Sequence, residues 1–146
     1  VAIDSDAAVA GRIWKMARAR SLDVLPLVVD ITRPTPGVGW RNREADSFLD
    51  RASGHFDLVL MLAVIHHMLV TERVPLPEIL RLASELTRDY ALIEFVGPRD
   101  PMFQRIVRGR EALHEGLSEE AFERAARERF DVVRAERVRG LERWLY

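Results

Sequence analysis

Acids and histidines stand where apolar runs end in this chain. Asp4 closes "VAID", Asp30 closes "VLPLVVD", His66 and His67 follow "MLAVI", and Glu94 sits inside "YALIEFV". A carboxylate so placed can accept hydrogen bonds from a ribose diol or an exocyclic amine. A histidine titrates near neutrality and can take a proton from a nucleophile. Each position also has a plain structural reading. Asp4 is then a solvated acid at a helix start, and Asp30 a turn former ahead of a Pro/Gly loop. Of the two histidines, one bonds to backbone and one faces solvent. Adjacent histidines seldom aim at one point and no third ligand is evident, so no metal is expected. Glu94 is costly to bury unless paired; it meets an arginine or faces a substrate pocket, and both stay open. Trp40, with Arg41 and Arg43, lies in the long loop "ITRPTPGVGWRN". An aromatic flanked by arginines could clamp an anionic or planar acceptor, or Trp40 packs the loop onto the domain.

The elements that position these groups alternate in type. "VAID" reads as the end of a strand. Asp6 caps a helix carrying Val9, Ala10, Ile13, Met16 and Ala17 on one stripe. Val24–Asp30 is the next strand, and "READSFLDRA" a short helix. Phe56–Ala63, apolar but for Asp57, is a strand of the kind covered on both faces in parallel sheets. "IHHMLVTERV" leaves it as a turn or short helix. Pro77 begins a helix with Ile79, Leu80, Ala83 and Leu86 inside. Tyr90–Val96 is a buried strand, and Asp100-Pro101 starts a helix through about Arg108. Ser118 caps a helix carrying Phe122, Ala125, Ala126 and Phe130. "DVVRAERV" and "RWLY", with a turn at Arg139-Gly140, are too close for a crossover and form an antiparallel pair. The sum is an α/β chain with a mostly parallel sheet, one domain over residues 1–146. In such sheets ligands bind outside the carboxyl ends of the strands, which is where the polar groups collect.

Bulk composition narrows the function classes. The 146 residues carry a formal net charge of −1 and no cysteine. Near-neutrality gives no electrostatic reason to expect nucleic acid or an anionic membrane. The lack of cysteine excludes disulfides, thiolate metal sites and a cysteine nucleophile. No apolar run approaches a membrane span and no signal-peptide pattern is visible, so the expected compartment is the cytoplasm.

The order "VAIDSD", "VVDI", "FDLVLMLAVIHHM", "ALIEFV" and a closing antiparallel pair resembles the class I S-adenosylmethionine-dependent methyltransferases over nearly the whole chain. The resemblance implies a three-layer Rossmann-like sheet and methyl transfer from S-adenosylmethionine to an acceptor, with a small molecule the expected partner. It implies that Asp4 holds the ribose hydroxyls, that Asp30 contacts the adenine, and that Ala63 is a further cofactor-binding residue. His66 and His67 become catalytic candidates, and Trp40, Arg43 and Glu94 substrate-binding candidates. The family's first strand and glycine-rich loop have no match here: Gly11 stands alone, and Gly37 and Gly39 fall in a later loop. The expectation is an incomplete record of a longer chain, with weak cofactor binding or none by residues 1–146 alone. A homo-oligomer filling the open sheet edge is one alternative. A truncated domain that folds or self-associates without turnover is the rival to the enzyme, and a dehydrogenase-like nucleotide-binding enzyme a third reading.

Overall fold

The computed structural model describes residues Val1–Tyr146 and divides them into two compact units, Val1–Arg51 and Ala52–Tyr146. The chain is α/β, with one sheet in each unit. No helix is long and apolar enough to cross a membrane.

In the first unit β1 (Ala2–Asp4) and β2 (Pro26–Val28) pair in parallel, Ala2 opposite Pro26 and Asp4 opposite Val28. The second strand is shorter than the apolar run Val24–Asp30 suggests: only Pro26–Val28 pair with β1. Between them runs α1 (Ala7–Arg20), started by the Asp6 carboxylate accepting from the Ala8 amide. Ser21, in the left-handed region at φ 51°, ends it. Ala10 and Ala17 are buried, but Met16 of the expected stripe is exposed. The Pro/Gly segment is an irregular loop, pinched by a bridge between Val38 and Ala45 and a 3₁₀ turn at Trp40–Asn42. A reciprocal cap starts α2 (Phe48–Ala52): Asp50 donates its amide to Ser47 Oγ, and the Asp50 carboxylate accepts from the Ser47 amide and hydroxyl.

The second unit holds the larger core. Its sheet has the order β3 (Phe56–Met61), β4 (Thr87–Val96), β6 (Arg143–Leu145), β5 (Glu136–Arg137). β3 and β4 are parallel, Met61 opposite Ile93. β6 is antiparallel to both β4 and β5, as the short connection requires, with Gly140 at φ 79° in the turn. The helices are α3 (Ile65–Val70), α4 (Leu76–Leu86), α5 (Pro101–Val107) and α6 (Glu119–Ala126). α4 buries the predicted Ile79, Leu80, Ala83 and Leu86. Ser118 caps α6 by accepting from the Ala121 amide, and α6 ends at Ala126, short of Phe130. Phe122 stacks on Phe95 with ring centroids 4.8 Å apart, and both are fully buried beside Trp144.

One expectation is overturned. The apolar β3 is not covered on both faces: Leu58 is 51 % and Leu60 57 % exposed. Leu58 and Leu60 fall on the face open to solvent, while Met61 on the other face is buried, so the apolar run marks a strand without telling how many of its faces are covered.

Candidate functional site

Asp4 and Asp30 belong to the first unit, and Ala63, His66, His67 and Glu94 to the second. Within the first unit the parallel register brings both aspartates to the carboxyl ends of neighbouring strands. Each has one carboxylate oxygen tied to its own turn. Asp4 Oδ1 accepts from the Asp6 amide at 2.8 Å, and Asp30 Oδ1 accepts from the Thr32 amide at 2.9 Å and the Thr32 hydroxyl at 2.6 Å. The Thr32 hydroxyl, with the Thr32 amide behind it, holds the Asp30 carboxyl below its ordinary value. Trp40 does not pack its loop down: it is 78 % exposed, and Arg41 and Asn42 beside it both take left-handed backbone at φ 56°. Arg43 follows directly as an exposed residue.

The second unit gathers a polar cluster where β3 and β4 end. Ala63, two residues past β3, has φ +54°, and its amide donates to Glu94 Oε2 at 2.6 Å. Glu94 Oε1 accepts from Arg143 at 3.2 Å, which answers what the acid inside an apolar strand meets. Arg143 in turn forks onto Asp100: Nε donates to Oδ2 at 2.8 Å and the second terminal nitrogen to Oδ1 at 3.2 Å. Asp100 is fully buried and caps α5, accepting from the Met102 amide at 2.8 Å. The two carboxylates share one guanidinium. Arg143 holds the Asp100 carboxyl below its ordinary value, and the Arg143 cation is reinforced mainly by Asp100 and then by Glu94.

His66 and His67 separate cleanly on α3. His67 faces solvent, while His66 is 2 % exposed and its Nδ1 is buried with no hydrogen-bond partner. Their rings lie 4.3 Å apart, tilted by 39°. Burial, followed by the neighbouring His67 and Arg143, pushes the His66 imidazole down to about 4. It is therefore neutral at neutral pH and a feeble proton acceptor there. It offers hydrogen-bonding capacity in a dry setting, which is a different role from general base.

The sequence marks Glu94 and gives Asp100 only as the start of a helix, and nothing in it marks Arg143. The available signal was Glu94 itself. A carboxylate in an apolar strand demands a cation, but its partner lies 49 residues on in a strand of three residues, a separation no local pattern spans.

Fold and site together define a protein of the α/β class with polar groups at the carboxyl ends of its parallel strands. In sequence it is similar to nodulation protein NoeA of Rhizobium meliloti (strain 1021), 36 % identical over 126 residues, which are 86 % of this chain and 26 % of NoeA. The chain thus spans about a quarter of the length of that relative. No family model matches the chain, and no solved structure matches it.

Proposed function

We propose that this chain carries methyl transfer from S-adenosylmethionine to a small-molecule acceptor, on a sheet of the class I methyltransferase type, in the cytoplasm. The observation that carries the reading is the pair Asp4 and Asp30 at the carboxyl ends of adjacent parallel strands. The strand order within the second unit, parallel β3–β4 followed by antiparallel β6 and β5, supports it as well.

The pair of carboxylate acceptors suits the nucleoside end of the cofactor. Asp4 would accept from the two ribose hydroxyls and Asp30 from the adenine amine, each carboxylate already oriented by its own turn. When bound, S-adenosylmethionine supplies an electrophilic sulfonium methyl. The protein's share is then to orient the acceptor in line with it, since catalysis by proximity needs no dedicated base. This agrees with the low proton affinity of His66. The exposed Trp40 with Arg43 beside it has the chemistry to meet a planar or anionic acceptor.

The test is calorimetric titration of the full-length protein with S-adenosylmethionine, followed by a screen of acceptors. Asp4→Ala is expected to weaken cofactor binding by about tenfold or more, the usual cost of removing a charged acceptor from two hydrogen bonds. Absence of binding by the unaltered protein, or equal affinity after Asp4→Ala, overturns the reading.

A further inference from the structure

Ala63 adopts left-handed backbone, which a residue with a Cβ keeps only where its surroundings hold it. The hold on its amide is Glu94, and Glu94 is itself held. Arg143 stands opposite Val96 in the β4–β6 pair, and Glu94, two residues back on β4, lies diagonally on the same face. With side chains 21 % and 12 % exposed, Arg143 and Glu94 are largely withdrawn from water. Asp100 fixes the guanidinium by the forked pair and is anchored by the first turn of α5.

Asp100 already gives the half-buried guanidinium a forked partner. Glu94 instead divides its oxygens, one to Arg143 and one to the Ala63 amide, so the cation ends up aiming a carboxylate at a backbone turn. The links run from the α5 start through Asp100, Arg143 and Glu94 to Ala63, and each orients the next.

We infer that Arg143 is a positioning residue, which acts through Glu94 to fix the strained turn at Ala63 between β3 and the buried His66. The role of that turn in ligand binding rests on the methyl-transfer reading; the coupling itself does not. The consequence is that the end of the β3 strand, where a ligand would be met, takes its shape from a residue in the last strand of the chain.

Amide hydrogen exchange, followed by NMR on the full-length protein without ligand, tests this directly. Arg143→Met is expected to speed exchange at Ala63 by about tenfold or more, the range set by losing one charge-assisted hydrogen bond. The Ile93 and Tyr146 amides, which pair with each other's carbonyls and report the β4–β6 ladder, keep their protection. Arg143→Lys restores part of the effect by returning the charge without the fork. Glu94→Gln, close in shape and with a single acceptor oxygen, also speeds Ala63, and the double variant adds nothing further. Should Arg143→Met fail to fold, Arg143→Lys set against the unaltered protein carries the comparison. Unchanged exchange at Ala63, or loss of protection in parallel at Ile93 and Tyr146, overturns the inference. Failure of the protein to bind S-adenosylmethionine overturns only the methyl-transfer reading.

Discussion

His66 has a thermodynamic signature that can be read without any ligand. The unfolded chain takes up a proton at this imidazole near 6.5, whereas the folded chain does so only near 4. Between those values the unfolded state binds more protons, so stability rises with pH across the window and is lost as acid is added. The expected outcome is a fall in the urea midpoint from pH 7 to pH 4.5 that is blunted in His66→Gln. His114, also pushed down by burial, contributes to the slope that remains. Equal slopes in both proteins would show that His66 is far less buried than its 2 % exposure indicates. The neighbouring Asp100 acts in a lower range. Arg143 holds Asp100 low, so its contribution is present above the ordinary carboxylate range and disappears only as pH falls through the folded value.

Elements in this chain are set largely by their ends. Asp6, Ser47, Asp100 and Ser118 each accept from an amide in the first turn of the helix they start. These are local events between residues two or three apart, which is why Asp6 and Ser118 read as caps, and Asp100-Pro101 as a helix start, from sequence. Ser118→Ala should destabilise the protein by about 1 kcal/mol, measured by denaturant titration, because the Ala121 amide loses its acceptor. Phe122→Ala on the same helix should cost about 3–5 kcal/mol, since it opens a cavity against Phe95. A larger loss from the cap than from the ring would contradict the picture of α6 as a helix held mainly by its buried face. Strands were less well bounded than helices. β2 is trimmed to Pro26–Val28, and β4 extends back to Thr87, directly after α4.

At the scale of the whole molecule, the second unit holds nearly all of the large buried side chains. Phe95, Phe103, Phe122, Ile65, Ile79, Leu80, Val70, Val96 and Val107 all lie in Ala52–Tyr146. The first unit, with two strands of three residues and Ala10, Ala17 and Phe48 as its buried apolar residues, is far below the size at which a core sustains itself. A fragment covering residues 46–146, which keeps α2 intact, is therefore expected to unfold cooperatively, and a fragment covering residues 1–51 to show no cooperative transition by circular dichroism. The reverse result would mean that the core has been assigned to the wrong unit.

What the sequence determined by itself is the succession of elements, the caps, the buried face of α4 and the antiparallel closing pair. All of these depend on residues within a turn or two of one another, or on a connection too short to allow anything else. It also marked Glu94 as an acid in need of a partner. Tertiary structure alone decided that the partner is Arg143, that Asp100 shares it, that β3 has one neighbour, and that Trp40 faces outward. Those outcomes depend on which strands lie side by side and in what register. Pairing across 43 or 49 residues is fixed by the packing of the whole sheet, and no local spacing of residue types encodes it.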